Sequence, residues 1–180
     1  MITAEIFKPL KGTQPDYDQT NGLIREFAKI KDSRDPLLLT FDEVEKILIW
    51  QASGSSNWRN KWRWLQNTDE DVRQATEFAF SISLRDKNIE TKFRIKALRT
   101  LYGIGIVSAS AILTIVYPTR YAVLNEGNWN LVFSDEEKSN LTVQDYIKYL
   151  AFVQELAGEL NWTPQEVDHA IWEYIRRQSE

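Results

Sequence analysis

The chain has 180 residues, no cysteine, one histidine and a formal net charge of −4. These numbers exclude disulfides, zinc–thiolate sites and a four-cysteine iron–sulfur cluster, and a single histidine argues against a protein-built zinc site. With 43% hydrophobic and 27% charged residues, the composition is that of an ordinary globular chain with a real core, not a basic coat for nucleic acid.

Residues 1–15, with Pro9, Gly12 and Pro15, read as an irregular N-terminal arm. Glu5, Lys8 and Lys11 interrupt it before any apolar run develops, so no signal peptide is expected, and a reducing cytoplasm suits a chain without cysteine. A helix over Tyr17 to Lys31 puts Leu23, Phe27 and Ile30 on one side, and Pro36 breaks the chain. Thr40–Glu43 has the form of a capping box and opens a helix with Phe41, Val44, Ile47, Leu48 and Gln51 along one stripe.

Ser53–Ser56 reads as a loop and Asn57 to Gln66 as a short helix with Trp58, Trp62 and Leu65 facing the core. The tryptophans here read first as core, and the alternative is that an exposed member, Trp64, stacks on a base or wedges into a duplex. Thr68–Asp71 caps a helix that turns Val72, Ala75, Phe78, Ala79 and Ile82 inward. From Asn88 to Tyr102 another helix offers Ile89, Phe93, Ala97, Leu98 and Leu101 to the core. Arg85, Lys87, Lys92, Arg94, Lys96 and Arg99 outnumber Asp86 and Glu90 here, and Arg59, Lys61 and Arg63 alternate with tryptophans upstream. Either group is a solvated helix face or a patch for a polyanion.

Between Leu101 and Tyr117 the chain makes a glycine turn, then a segment whose only polar side chains are Ser108, Ser110 and Thr114. Such a helix is buried, so the rest of the protein wraps around it; it is too short to span a bilayer, which takes ~20 apolar residues. Gly103 and Gly105 permit positive φ and an immediate helix restart, leaving a bare N-terminus suited to an anion. Pro118 ends the helix, Thr119 to Leu124 runs extended, and Asn125 either caps the helix holding Trp129 and Leu131 or faces a ligand. Ser134–Glu137 reads as an acidic turn. Thr142–Asp145 starts a helix with Tyr146, Ile147, Leu150, Val153 and Ala157 inward. Thr163–Glu166, with Pro164 second, starts the last, burying Val167, Ile171, Tyr174 and Ile175. His169 beside Asp168 reads as a surface pair. No segment alternates at period two, which makes the expected class all-α, and neither a phosphate-binding Gly-Lys loop nor a solenoid repeat is present.

Leu101-x-Gly103-x-Gly105-x-x-x-Ala109-x-x-x-Leu113, followed by Pro118, Arg120, Tyr121–Asn125 and Trp129, resembles the hairpin region of the helix-hairpin-helix DNA glycosylase superfamily. The resemblance is closest over residues 90–133 and implies a two-lobed, all-α fold with a single domain over 1–180 and the helix-hairpin-helix element at 88–117. It implies DNA as partner, damaged duplex included, held through backbone amides at Gly103, Gly105 and Ile106. Lys96, Arg99 and Arg120 would be nearby, a monovalent cation would sit on the Tyr102 and Ile104 carbonyls, and Trp129 or Trp64 would serve as base pocket or wedge. Two positions depart from the family. Asn125 stands where the family's catalytic aspartate is expected, and an amide supplies neither the charge nor the base. Val107 stands where lyase members carry a lysine nucleophile, so Schiff-base chemistry is not expected. Glu126 and Asp135 are the nearest substitute carboxylates. The expectation is a DNA-binding protein with weakened or lost catalysis. Its alternatives are a monofunctional glycosylase using another carboxylate in an interlobe pocket, and a protein-interaction module on the same fold.

Overall fold

The computed structural model describes residues 4–53, 58–134 and 138–178, and its regular structure is helical throughout, with no strand among them. In chain order the helices are α1 (Ala4–Phe7), α2 (Tyr17–Ser33), α3 (Phe41–Gln51), α4 (Lys61–Trp64), α5 (Asp69–Ser81) and α6 (Lys87–Leu98). They continue with α7 (Ile106–Val116), α8 (Glu126–Val132), α9 (Val143–Leu160) and α10 (Pro164–Gln178). The start signals work as expected. Thr40 with Glu43, Thr68 with Asp71 and Thr142 with Asp145 form complete capping boxes. Thr163 and Glu166 exchange the same pair of bonds. Each cap is worth ~1 kcal/mol and satisfies amides that a helix end leaves bare.

Helix α7 is the axis: nine of its eleven residues are buried, and α2, α3 and α6 pack around it, with α5 against α3 and α6. Its two buried hydroxyls are satisfied locally, Thr114 donating to the Ser110 carbonyl at 2.8 Å and Ser110 to that of Val107 at 2.8 Å. Ser110 Oγ also accepts the Leu124 amide at 3.0 Å, which pins the extended connection to α7. The second lobe is α10 against α8 and α9. Tyr121, Ala122, Val123 and Leu124 are buried in a hydrophobic cluster that reaches from Phe7 to Ile171 and joins the two lobes.

Four expectations are corrected. The arm is not irregular: α1 and the 3-10 turn at Lys8–Leu10 pack on α10, burying Phe7 and Leu10. The Trp58–Leu65 face is inverted. Trp64 is fully buried and stacked on Phe41, with centroids 4.6 Å apart, whereas Trp62 and Leu65 are 62% and 57% exposed. Because α4 is a single turn, the three- and four-residue spacing across 58–65 has no continuous helix to act along. Phe78 is 63% exposed while Phe80 is buried.

Helix α6 is rotated so that Ile89 and Phe93 face outward and Glu90, Thr91, Arg94 and Ile95 inward. The cause is electrostatic. Glu90 is ion-paired with Arg120 and, at 2.8 Å, with Lys87, and it accepts the Leu84 amide. Arg94 donates to the Ile82 carbonyl at 2.8 Å. Burial acts to raise the Glu90 carboxyl, but Lys87, the Leu84 amide and Arg120 together hold it down at about 2. A buried charge so paired sets the rotation of the helix that carries it.

Candidate nucleic-acid interface and interlobe pocket

The turn between α6 and α7 is built on Gly103, the one glycine of the hairpin with positive φ, at 81°. A Cβ there would lie 2.9 Å from the Trp64 amide nitrogen and 3.1 Å from the Asn60 carbonyl, so the turn and the α4 segment touch backbone to backbone. Asn67 staples the other side, accepting the Tyr102 amide at 2.9 Å and donating to the Tyr102 carbonyl at 3.0 Å. That carbonyl, one of the two expected around a cation, therefore already serves the fold.

Gly105 is different. Its φ is −88°, it is the N-cap of α7, and a Cβ would meet nothing within 4 Å. No side chain caps α7. Its first turn opens on a cavity of about 280 Å³ lined by Asn60, Gly105, Ile106, Val107, Ser108 and Glu126, among others. Bare amides and the positive end of the helix dipole are the features that suit a helix start to an anion, and the Glu126 carboxylate in the same cavity opposes one. Lys96 and Arg99 are exposed on α6 and the residue after it. Arg120 is not free to join them, because its charge is committed to Glu90. The exposed aromatics beside the hairpin are Tyr102, at 64%, and Trp62, against which the Arg63 guanidinium lies 5.0 Å from the ring centroid.

A second cavity, of about 90 Å³, opens between the lobes. Val107 lines both cavities, so the opening at the helix N-terminus and the interlobe pocket share a residue of α7. The expected base-pocket residue Trp129 is fully buried against Phe133 and lines neither. Asn125 does line the interlobe pocket, and its side chain also accepts the Asn128 amide at 2.8 Å as the N-cap of α8. Glu126, the first residue of α8, is exposed and belongs to the hairpin cavity instead. Asp135 lies outside the described residues.

Two carboxylates line the pocket, Asp16 and Asp168, and the buried one is Asp168, 4% exposed. Tyr149 and Asn128 donate to its Oδ1 at 2.6 and 2.7 Å, and the Val123 amide to its Oδ2 at 3.2 Å. Desolvation outweighs all three bonds and pushes the carboxyl up to about 7, leaving an acid that exchanges its proton near neutrality. His169, expected at the surface, is buried on the same side. Its ring is near-parallel to that of Trp50, with centroids 6.3 Å apart, and burial lowers its pKa so that the imidazole is neutral. Asp16, from the stretch just before α2, closes the pocket, with Oδ2 3.9 Å from His169 Nε2. Sequence spacing had no means of uniting Asp16, Asn128, Tyr149 and Asp168, which come from four separate elements. The nearest thing to a signal was Asp168 on the predicted inward helix, one residue from Val167.

No family model matches the chain, and no curated protein does. Among solved structures, it is similar to the 8-oxoguanine glycosylase/lyase of Methanocaldococcus jannaschii in complex with 15mer DNA containing 8-oxoguanine. The identity is 17% over 98% of this chain and 97% of that one, and the TM-score is 0.59. A second structure, of 8-oxoguanine DNA glycosylase from the same organism, gives the same identity and TM-score over 98% and 94%. The fold is therefore that of the helix-hairpin-helix glycosylases, all-α and two-lobed. No helix among the described residues is long and apolar enough to cross a membrane.

Proposed function

We propose that this protein binds DNA through the α6–α7 hairpin and receives an unstacked base in the interlobe pocket, with the sugar chemistry of the superfamily weakened by Asn125. The carrying observation is that Val107 lines both cavities, so an uncapped helix N-terminus and a polar pocket share a residue. A phosphate on the α7 amides would position the strand without reading sequence, with Lys96 and Arg99 adding charge. A base extruded next to it would enter beside Asn125 toward Asp168. The archaeal structure supports the reading, because a protein of this fold is there in complex with DNA containing 8-oxoguanine. A monovalent cation at the Ile104 carbonyl belongs to the same proposal.

A second reading, a working monofunctional glycosylase, is favoured by Asp168 itself. A carboxyl near 7 inside the pocket is poised to protonate a departing base, a role distinct from the charge stabilisation that Asn125 cannot give. The two readings separate in one experiment: anisotropy with intact, mismatched, abasic and base-damaged duplexes over a salt series, followed by hot alkali. Salt-sensitive binding without alkali-labile breaks supports a reader. Breaks that vanish in Asp168→Asn support the enzyme. No binding at low salt refutes both and leaves an interaction module on a glycosylase fold.

A further inference from the structure

We propose that the interlobe pocket selects a flat heterocycle by an edge bearing an exocyclic amino group, accepting cytosine-type rings and rejecting their oxo counterparts. The inference rests on the reading above that the pocket takes a base, and it names which bases.

The argument starts from atoms without partners. Asn128 Oδ1, Asp16 Oδ1 and His169 Nδ1 are buried and make no hydrogen bond within the protein, and all three residues line this pocket. Asn128 and His169 are themselves only 1% and 8% exposed. Buried polar atoms are almost always paired, so three unpaired acceptors around a single cavity call for hydrogen-bond donors within it, from water or from a ligand that displaces it. Their sense is fixed. The Asn128 amide cannot be turned over, because its Nδ2 donates to Asp168 at 2.7 Å and to Tyr149 at 3.2 Å, leaving Oδ1 as an acceptor. His169 is neutral, and Asp16 on its Nε2 side favours the proton there, which leaves Nδ1 an acceptor too. Asp16 Oδ1 is an acceptor by nature. The lining includes no lysine or arginine. A carbonyl brought against this set would face acceptors only, whereas an amino group would bridge two of them.

Size and a donor at the pocket wall agree. The cavity, about 90 Å³, is smaller than the ~150 Å³ engineered cavity that takes up benzene, so it admits one edge of a single ring while the rest projects through the mouth. Asn125 Oδ1 is occupied by the Asn128 amide, which turns the Asn125 Nδ2 into a donor. It suits the ring nitrogen or carbonyl that lies beside the amino group of cytosine and opposes the ring N–H of uracil. Sites that hydrogen-bond a particular donor reject the analogue lacking it far more strongly than sites that only measure shape.

The test uses the free bases, so it does not depend on DNA binding. Isotope-labelled protein is titrated with cytosine, uracil, adenine and hypoxanthine, two pairs differing by an amino-to-oxo exchange, and the indole N–H resonances of Trp50 and Trp172 are followed at the pocket. The expected result is at least tenfold tighter binding of cytosine than of uracil, the same direction for adenine over hypoxanthine, and a smaller cytosine-to-uracil ratio in Asp16→Asn. Equal affinities, a uracil preference, or no shift with either base overturns the inference. If duplex DNA still binds in that case, the base-edge assignment falls while the DNA reading stands. If the amino preference holds without DNA binding, the reverse is true.

Discussion

Replacing Asp168 by asparagine tests the centre of the pocket without removing its shape. The asparagine carbonyl can accept the Tyr149 hydroxyl and the Asn128 amide as the carboxyl does, while the Val123 amide loses its acceptor, a cost that does not vary with pH, so the fold should survive. What disappears is a titration. The wild-type carboxyl keeps its proton up to about 7, while an unfolded aspartate loses it near ~3.9. Between these values the folded state binds more protons than the unfolded state, so stability is fully present below ~4 and is lost progressively as pH rises to 7. About three pKa units at 1.36 kcal/mol each give a loss of up to ~4 kcal/mol, or ~10 °C in Tm for a chain of this size. The variant lacks this loss, so its stability relative to wild type should climb by that order between pH 4.5 and 8. Glu90, held at about 2, contributes stability that is lost only as pH falls below the carboxylate range. His169, lowered by burial, favours the folded state more as pH rises, and it is common to both proteins. Urea unfolding of the pair at half-unit steps isolates Asp168. A difference that stays flat within ~0.5 kcal/mol, or falls with pH, would refute a buried neutral acid at this position.

The hairpin gives three sharper tests. Gly105→Asp introduces a side chain into open space at the N-cap of α7, where aspartate is a favoured capping residue. DNA affinity should drop at least tenfold while Tm holds or rises, and unchanged affinity in anisotropy would remove the α7 amides from the interface. Gly103→Ala should instead cost stability, because the left-handed backbone alone is ~1–2 kcal/mol unfavourable for alanine and its Cβ would meet the Trp64 amide nitrogen at 2.9 Å. Calorimetry should show Tm lower by several degrees. Glu126→Gln removes the carboxylate from the α7 cavity, so DNA should bind severalfold more tightly at low salt, the gain shrinking as salt rises. Tighter binding that persists at high salt would point to a contact other than charge.

Local signals carried the helix starts well, because a capping box is written within four residues and needs nothing from afar. Burial of α7 was legible for a similar reason: an element without a polar face has one solution. The inward faces of α4 and α6 were not legible. In α6 the apolar stripe Ile89–Phe93 lost to Glu90 and Arg94, whose partners Arg120, Leu84 and Ile82 lie outside the helix. A charged face can win the interior only when distant residues neutralise it, and the sequence of the helix alone does not display them. In α4 the error came from applying helical spacing to a single turn held by the close approach of Gly103. The pocket was harder still, being assembled from the chain near α2, α3, α7, the Asn125 cap, α8 and α10.

The relocation of the acid has its own logic. The sequence places an amide where the superfamily is expected to hold a carboxylate, and in the fold that amide is an N-cap at the pocket wall, accepting the Asn128 amide. Asn128 in turn donates to Asp168. The two positions are thus joined through one residue, yet they differ in what they can do. A charge at 125 would lie in the pocket wall that Val107 of α7 also lines, on the side of the proposed phosphate contact, whereas Asp168 lies among the buried polar groups that the proposal assigns to the base. On the reading proposed here, restoring the acid as Asn125→Asp should raise base release in the presence of Asp168. It should do little in Asp168→Asn if protonation of the leaving base is the step that limits cleavage. Equal gains in both backgrounds would assign Asp168 to binding alone, and no gain in either would show that the sugar is not presented to position 125.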